Sequence, residues 1–287
     1  MSEQKTQRTI RKEVFLDGVG LHTGRKCRAV FKPAPENSGI KFVRTDLPGQ
    51  PMLSAHVSNV VDVIRGTTLG EADARVYTIE HILSALCGLG IDNLTIELDD
   101  NEPPVADGSA KEFTEVLLSA GLVDQEAPRT YFTVSEPFEY SANQTFLRIE
   151  PADVFSVHCE IDYNHPMVKK QSLVYTAGDD YVKEIAPART FCFDYEIEAL
   201  IKRGLAKGGN LDNAVVVGPD GIYNPASLRF QDEFVRHKIL DLMGDLMLIG
   251  SPLKAKVTAQ RCGHGHNVNF LKQLLGKISL NPPVSVS

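Results

Sequence analysis

The sequence predicts an α+β fold of two similar domains. In each half of the chain, strand-like segments precede helical ones, and both halves close with a helix, a strand, a glycine-containing loop and a helix. The first helix of this series begins near His81 in one half and near His237 in the other, and 27 residues separate His81 from Gly108 whereas 26 separate His237 from Gly263. We interpret this as an internal duplication, the alternative being chance similarity of two α/β segments.

The duplication predicts how the two halves pack. Each half forms a sheet layered with helices, and the helices of the two halves pack between the sheets as a β-α-α-β sandwich with a cleft at their boundary. Between Leu122 and Thr130 the segment Val-Asp-Gln-Glu-Ala-Pro-Arg interrupts the periodic pattern, which is typical of a linker. We therefore expect a first domain at 1–123 and a second at 130–280.

Hydrophobic spacing assigns the elements, with a period of two for strands and about 3.6 for helices. In the first domain we expect strands at 9–16, 27–32 and 40–44, a helix at 78–89, a strand at 93–98 and a helix at 110–120. In the second domain we expect strands at 131–134, 146–150 and 156–163, helices at 196–203 and 234–249, a strand at 254–259 and a helix at 268–275.

Composition restricts the class of protein and its partners. The chain has 287 residues, 43% of them hydrophobic, which is enough to build a large core. A net charge of −7 without long basic runs argues against nucleic-acid binding and favours a small-molecule partner. We find no signal peptide and no apolar run of membrane-spanning length, so we expect a cytoplasmic protein. We also expect a monomer.

The cysteines and the C-terminal segment add two further expectations. Five scattered cysteines without C-x-x-C spacing favour reduced thiols over a disulfide framework or a thiol-rich zinc site. The Pro-containing segment 281–287 is typical of a disordered end, and it is either a natural terminus or part of a longer chain.

A polar stripe in the helix predicted at 234–249 is the most informative feature of the sequence. His237, Asp241 and Asp245 recur every four residues in an otherwise apolar pattern, so they lie on one helix face. Burying two carboxylates is costly unless they are paired or bind a cation. The stripe therefore indicates a metal site, with a solvated polar face as the alternative.

A second histidine supports the metal site. Glu80 and His81 lie at the start of the first-half helix, and His81 occupies the place in the repeat that His237 occupies in the other half. His81, His237 and Asp241 would form the three-ligand pattern of a catalytic zinc, which lowers the pKa of bound water to roughly 7. Glu80 is then the candidate general base. The alternative is that Glu80 is a carboxylate of the kind that favours a helix's first turn, and that His81 is a surface imidazole.

The glycine-flanked histidines near the end of the chain are candidates for a general acid. His264 and His266 lie in a loop that precedes the last predicted helix, and Asp245 could fix the tautomer of one of them by a hydrogen bond. The alternative is a glycine-rich turn that only caps the helix. From these residues alone, either histidine could be the acid.

Seven motifs, in order along nearly the whole chain, resemble one enzyme family. They are Gly-Val-Gly-Leu-His-Thr-Gly at 18–24, Thr-Ile-Glu-His at 78–81, Gly-Leu-Gly-Ile-Asp-Asn at 88–93, Asp-Gly-Ser at 107–109, Ala-Arg-Thr-Phe at 188–191, Phe-Val-Arg-His-Lys-Ile-Leu-Asp at 234–241 and Gly-His at 263–264. The chain resembles the zinc-dependent UDP-3-O-acyl-N-acetylglucosamine deacetylases of lipid A synthesis. That family has two α+β domains that sandwich their helices, and its members remove the acetyl group from the 2-acetamide to give acetate and the free amine.

The resemblance implies a set of catalytic residues at the matching positions. It assigns zinc to His81, His237 and Asp241, the general base to Glu80, the acid to His264 with Asp245 as its partner, and oxyanion stabilisation to Thr190. His264 is preferred over His266 because it directly follows Gly263, as in the family motif.

The resemblance also implies substrate contacts. Lys238 and Arg261 would bind the diphosphate, and Asp162 and Tyr163 would lie near the nucleotide. Leu21, Phe191, Ile197 and Ala214 would border the acyl chain, or belong to the plain core. Local cations explain how an acidic protein binds an anionic sugar nucleotide.

Two positions depart from the family pattern. Family members often have Cys where this chain has Arg65 and Ala206. Neither position belongs to the implied catalytic set, so we expect the chemistry to be retained and the acyl pocket or inhibitor fit to differ. Two other functions stay open: another zinc amidohydrolase or peptidase, although H-E-x-x-H is missing, and a non-catalytic sugar-nucleotide binder.

Overall fold

The computed structural model describes residues 5–280, so the expectation for 281–287 lies outside the described residues. The elements of the first half are, in chain order, β1 (Thr6–Ile10), β2 (Val14–Val19), β3 (Lys26–Pro33), β4 (Ile40–Arg44), β5 (Met52–Ser54), a 3-10 helix (Val57–Asn59), β6 (Val60–Asp62), β7 (Thr68–Glu71), β8 (Ala74–Val76), α1 (Glu80–Leu89), β9 (Leu94–Leu98), α2 (Lys111–Ala120) and β10 (Leu122–Pro128).

The second half follows a similar order, with two additional helices, α3 (Tyr181–Glu184) and α4 (Asp194–Lys202). Its elements are β11 (Phe132–Thr133), β12 (Phe138–Ala142), β13 (Thr145–Pro151), β14 (Ser156–Ile161), β15 (Gln171–Thr176), α3 (Tyr181–Glu184), β16 (Phe191–Phe193), α4 (Asp194–Lys202), β17 (Val215–Gly218), β18 (Gly221–Ile222), α5 (Glu233–Leu246), a 3-10 helix (Met247–Ile249), β19 (Leu253–Gln260) and α6 (His264–Leu280).

Both main sheets have the same strand order and the same directions. The first runs β2-β3-β9-β4-β5 and the second runs β12-β13-β19-β14-β15, with β11 added beside β19. In each sheet the central strand, β9 or β19, is antiparallel to one neighbour and parallel to the other. Each half also inserts a three-stranded sheet before its first long helix, β6-β7-β8 before α1 and β16-β17-β18 before α5. This shared topology supports the internal duplication.

The helices lie between the two sheets. Strands β9, β14 and β19 alternate buried and less buried residues, so each sheet turns one face to the core. On that face α2 packs against β2, and α6 packs against β12 and β13, whereas α1 and α5 pack directly against each other. This arrangement is the predicted β-α-α-β sandwich, and the α+β fold is confirmed.

The predicted linker is partly a strand. Residues of β10 pair antiparallel with β1, so this segment is tied to the first half by a two-stranded sheet. The polar residues that indicated a linker alternate with partly buried ones along this strand. The division into domains at 1–123 and 130–280 stays a proposal.

Most predicted elements exist, with three differences. The strand expected at 9–16 is two strands, β1 and β2, which end and begin on either side of an exposed charged bend and pair with different partners. The last helix begins at His264 instead of residue 268, and the helix expected at 234–249 ends at Leu246 and continues as a 3-10 turn. Among the described residues, no helix is long and apolar enough to cross a membrane.

Candidate metal centre

The site is built where α1 and α5 cross. Gly244 of α5 lies against the backbone of Glu80 in α1, and a Cβ at this glycine would lie 2.1 Å from the Glu80 carbonyl oxygen. Only glycine permits so close an approach. The crossing places the first turn of α1 beside the C-terminal half of α5. Thr78, which precedes α1 at φ 51°, is held by a hydrogen bond from its Oγ1 to Glu102 Oε1 (2.9 Å).

The three predicted metal ligands converge at this crossing. His81 Nε2 lies 3.6 Å and His237 Nε2 lies 3.3 Å from Asp241 Oδ1. The two imidazole rings are perpendicular, with centroids 5.1 Å apart. One ligand atom from each of the three residues lies within 4.8 Å of the other two, and all three side chains are buried. Two imidazole nitrogens and a carboxylate suit a divalent metal ion.

Neighbouring groups orient these ligands. His237 Nδ1 donates to the Ala188 carbonyl oxygen (3.1 Å), which leaves Nε2 free to bind a metal. The next residue, Arg189, forms a buried ion pair with Glu233 at the start of α5 (2.8 Å), so the segment that supplies this carbonyl is fixed to the helix that carries His237. Lys238 Nζ donates to Asp241 Oδ2 (2.8 Å) and leaves Oδ1 facing the two imidazoles.

Electrostatics keep these ligands ready for a cation. Burial lowers the pKa of His237 to about 4, although Asp241 opposes the shift, so the imidazole is neutral at pH 7. Burial opposes ionisation of Asp241, but His237 and Lys238 hold the pKa of its carboxyl well below the usual value. A neutral imidazole and an ionised carboxylate are the forms that bind metal.

Glu80 lies beside the ligands at the start of α1. Its Oε2 accepts a hydrogen bond from Thr67 N (2.9 Å), and its Oε1 lies 3.7 Å from His264 Nε2. Burial raises the pKa of Glu80, although His264 opposes this shift, so the carboxylate is a stronger base than an exposed one.

His264 is part of a buried hydrogen-bond network centred on Asp245. His264 Nδ1 lies 2.9 Å from Asp245 Oδ2, Asn267 Nδ2 donates to the same oxygen (2.8 Å), and Thr67 Oγ1 donates to Oδ1 (2.6 Å). Burial disfavours the imidazolium, but the carboxylates of Asp245 and Glu80 raise the pKa of His264 to about 10. The side chain is therefore protonated at neutral pH.

The two candidate histidines of the glycine-flanked segment are separated in space. The segment was expected to be a loop, but His264 is the first residue of α6, and His266 lies two residues further along the same helix. His264 Nε2 lies 3.9 Å from Asp241 Oδ2, whereas His266 Nδ1 lies 3.1 Å from the hydroxyl oxygen of Tyr140 in β12. This geometry favours His264 as the acid.

An apolar cavity of about 480 Å³ opens from the metal ligands. Six residues that were predicted to contact the acyl chain, the nucleotide or the oxyanion line this cavity. They are Leu21, Tyr163, Thr190, Phe191, Ile197 and Ala214. His237, Asp241 and His264 also line it, as do the two departures from the family pattern, Arg65 and Ala206. A mostly apolar cavity with a few polar side chains in its lining suits a ligand with an alkyl chain.

Two predicted substrate contacts lie elsewhere. Arg261 Nη2 forms an ion pair with Asp162 Oδ2 (2.5 Å), so two of the predicted contacts bind each other, and both are half exposed. Neither side chain lines the cavity, whereas Lys238 does. Their contacts with a nucleotide stay predictions.

Three groups of the site were missed by sequence reasoning. Asn267 follows His264 by three residues, so its place on the same face of α6 could have been predicted from helical spacing. Thr67 and the Ala188 carbonyl gave no such signal, because they come from irregular segments that only the tertiary fold brings to α5.

Comparison with known proteins identifies the family. The family described as LpxC, UDP-3-O-acyl N-acetylglycosamine deacetylase, matches residues 7–276. The chain belongs to this family. The resemblance inferred from the seven motifs is thus confirmed.

Several members of the LpxC family are similar to this chain over most of its length. It is 44% identical to the UDP-3-O-acyl-N-acetylglucosamine deacetylase of Myxococcus xanthus over 94% of this chain and 86% of that protein, and 42% identical to that of Bdellovibrio bacteriovorus over 96% and 90%. It is 43% identical to the bifunctional enzyme LpxC/FabZ of Chlorobaculum tepidum over 93% of this chain, and this match spans 64% of that longer protein.

Proposed function

We propose that the protein is a zinc-dependent deacetylase. It hydrolyses the 2-acetamide of UDP-3-O-acyl-N-acetylglucosamine and releases acetate and the free amine, a step of lipid A synthesis. The observation that carries this proposal is the convergence of His81, His237 and Asp241, two of which, His237 and Asp241, also line an apolar cavity. The relatives named as UDP-3-O-acyl-N-acetylglucosamine deacetylases supply the substrate.

The donor set fits zinc. Two imidazole nitrogens and one carboxylate oxygen are a common set for catalytic zinc, which leaves a coordination position for water. When bound, zinc polarises the acetamide carbonyl and acidifies water. The hydrogen bond from His237 to Ala188 and the one from Lys238 to Asp241 hold two of the three ligands in place before the metal binds.

Glu80 and His264 divide the proton transfers. The buried Glu80 carboxylate, held by Thr67 N, removes the proton from the attacking water. His264 is protonated at neutral pH, its Nδ1 is bound to Asp245, and its Nε2 faces Glu80 and Asp241, so it gives its Nε2 proton to the departing amine. Thr190, which lines the same cavity, donates to the developing oxyanion.

The rest of the substrate lies along the cavity and its rim. The acyl chain occupies the apolar part, between Leu21, Phe191 and Ile197. Lys238 and Arg261 bind the diphosphate, with Asp162 and Tyr163 near the nucleotide. Because the substrate is a nucleotide-activated sugar and all five cysteines are free thiols, we place the enzyme in the cytoplasm. We propose that it acts as a monomer.

One experiment on a single sample tests this function. Zinc per chain is measured by elemental analysis of the purified protein, and acetate release is measured with UDP-3-O-acyl-N-acetylglucosamine. We expect about one zinc per chain and turnover that a chelator abolishes and added zinc restores. Zinc without turnover would instead support a non-catalytic binder, and turnover of other amides alone would support a different amidohydrolase.

A further inference from the structure

An ion pair joins the two halves of the chain beside the apolar cavity. Arg65, in the turn between β6 and β7, places Nη2 2.6 Å from Glu196 Oε1 on α4. Both side chains line the cavity and both are only partly exposed, at 42% for Arg65 and 22% for Glu196. The pair therefore lies between the first-half insert and the helix that forms one wall of the cavity.

The backbone around Arg65 is fixed to the second half as well. His22 Nδ1 accepts a hydrogen bond from Ala206 N (3.4 Å), so in the neutral ring Nε2 carries the proton and donates to the Arg65 carbonyl oxygen (3.3 Å). Arg65 and Ala206 both have left-handed backbone conformations, at φ 61° and 55°. Non-glycine residues adopt this conformation only where their surroundings hold it, and here one imidazole holds both turns.

Glu196 links this contact to the position of α4. Its Oε2 accepts from Phe193 N (3.0 Å) at the start of the helix, while its Oε1 binds Arg65. Of the nine residues of α4, only Leu200 is buried, so little apolar packing holds the helix in place. Backbone hydrogen bonds tie the segment after α4 to the first half, from Gly208 N to the Leu21 carbonyl oxygen (3.0 Å) and from Lys207 N to the His22 carbonyl oxygen (3.3 Å). The ion pair adds a contact between α4 itself and the first half.

Exposed apolar side chains on and after α4 indicate what this wall of the cavity binds. Ile201 of α4 is 63% exposed and Leu211, in the segment between α4 and β17, is 40% exposed, although both line the cavity. Large apolar side chains left in water at a cavity rim favour an alkyl ligand that would cover them. The wall that the ion pair fixes is therefore the wall along which a long chain would run.

We propose that the Arg65–Glu196 ion pair is a specificity-determining contact that selects substrates with a long acyl chain. It holds α4 against the first half, so the chain meets a preformed apolar wall and does not have to order that wall on binding. The identity of the chain as the substrate's acyl group rests on the proposed function.

Substitution of both partners tests the proposal. In Arg65→Gln and in Glu196→Gln, kcat/KM for a long-chain substrate falls up to about fivefold, mainly through KM, because a partly exposed ion pair contributes little more. For a substrate without the acyl chain, kcat/KM falls less. The ratio of kcat/KM for the long-chain substrate to kcat/KM for the substrate without the chain therefore falls. The side-chain amide oxygen that Glu196→Gln introduces can still accept from Phe193 N, so helix capping is retained.

Two comparisons separate this role from general destabilisation. The double variant is no worse than either single variant, because each substitution already removes the same contact. The control Arg28→Gln removes another partly exposed ion pair, Arg28 with Asp17, on strands β3 and β2, and it leaves the ratio of kcat/KM values unchanged. Additive losses, or equal losses for both substrates, would overturn the proposal.

A binding measurement does not depend on turnover. Calorimetric titration of the full chain with decyl maltoside, below its micellar concentration, is expected to give a Kd up to about fivefold weaker in Arg65→Gln than in the wild type or Arg28→Gln. Equal affinity in all three proteins would contradict the role of the ion pair. If the wild type turns over neither substrate but Arg65→Gln binds the alkyl probe more weakly, the proposed function is wrong. The role of the ion pair in holding the alkyl-binding wall of the cavity would then be retained.

Discussion

Helices α1 and α5 occupy equivalent places in the two halves, but the side chains that they bury differ in chemistry. Each has a histidine that faces the other helix, and each has a glycine seven residues later, Gly88 after His81 and Gly244 after His237. Four and eight residues after the histidine, α1 has the buried apolar residues Ala85 and Leu89. At the same spacings α5 has Asp241 and Asp245, which are equally buried.

This difference shows how one scaffold supplies both packing and chemistry. Helix α1 uses its stripe for the core and offers carboxylate and imidazole groups only in its first turn, where Glu80 and His81 lie. Helix α5 buries two carboxylates, which is tolerated because each has partners: Lys238 for Asp241, and His264 with Asn267 for Asp245. The site is therefore asymmetric although the scaffold is duplicated.

The largest effect should come from loss of a metal ligand on α5. We expect His237→Ala to lose zinc and to lower kcat/KM by more than about a hundredfold, since even residues behind the ligands cost that much in metal sites. Elemental analysis and acetate release measure the two effects. Leu89→Met, at the apolar stripe of α1, is the matched control and should retain both zinc and turnover. Full zinc content in His237→Ala would remove this residue from the ligand set.

Substitution of the general base or the general acid should lower turnover without removing the metal. In Glu80→Gln the amide oxygen can still accept from Thr67 N, so the fold and the metal are retained while the base is lost. We expect turnover to fall by roughly 10²–10⁴ with about one zinc per chain, and the same for His264→Ala. His266→Ala, two residues further along α6, should keep its turnover. Normal activity in Glu80→Gln would exclude Glu80 as the base.

The two glycines test whether the helix crossing positions the site. A Cβ at Gly244 would lie 2.1 Å from the Glu80 carbonyl oxygen, and one at Gly88 would lie 2.2 Å from the Tyr181 ring. Both Gly→Ala variants should lose about 1–3 kcal/mol of unfolding free energy in urea titrations, because the helices must separate from their neighbours. Only Gly244→Ala moves Glu80, so only this variant should also lose most of its turnover at a temperature where both remain folded.

Equal turnover in the two glycine variants would contradict the claim that the close α1–α5 crossing positions Glu80. It would mean that catalysis by Glu80 tolerates a shift of this crossing. A loss of stability in Gly88→Ala without any loss in Gly244→Ala would show that the close approach at Glu80 is relieved by a small backbone movement.

The sequence predicted the ligand stripe because helical spacing is local. His237, Asp241 and Asp245 needed only a period of four, and the pairing with His81 needed only the repeat. What holds these residues is not local: Ala188 reaches His237 from 49 residues away, and Thr67 reaches Asp245 from 178 residues away. No periodic pattern encodes such contacts.

The fold shows the same limit. The central strands β9 and β19 were predicted because their alternating apolar residues face the core. The short insert strands β6 to β8 and β16 to β18 were missed, because so few residues cannot show a period. Strand β10 was taken for a linker, since its polar residues suit an exposed segment and only its pairing with β1 makes it a strand.

The smallest effect concerns the one carboxylate of the α5 stripe that is not a proposed ligand. Asp245, with Glu80, raises the pKa of His264 to about 10 against the effect of burial, so the acid is protonated below that pH and activity is lost as pH rises through it. In Asp245→Asn the pKa of His264 falls, and the alkaline limb of the kcat/KM profile moves to lower pH with zinc retained. A return to the ordinary pKa of about 6.5 would leave roughly a quarter of His264 protonated at pH 7, a fall of about fourfold.

The free energy of unfolding should depend on pH in the same direction. Because the pKa of His264 is raised in the folded protein, this residue stabilises the fold fully below pH ~6.5, and its contribution is lost progressively as pH rises toward about 10. Asn267→Ala removes a hydrogen bond to the same Asp245 oxygen without changing its charge, so it should leave the alkaline limb near its wild-type position. If Asp245→Asn and the wild type shared one alkaline limb, the charge of Asp245 would have no part in keeping His264 protonated, and the buried second carboxylate of α5 would be structural, like Leu89 at the equivalent position of α1.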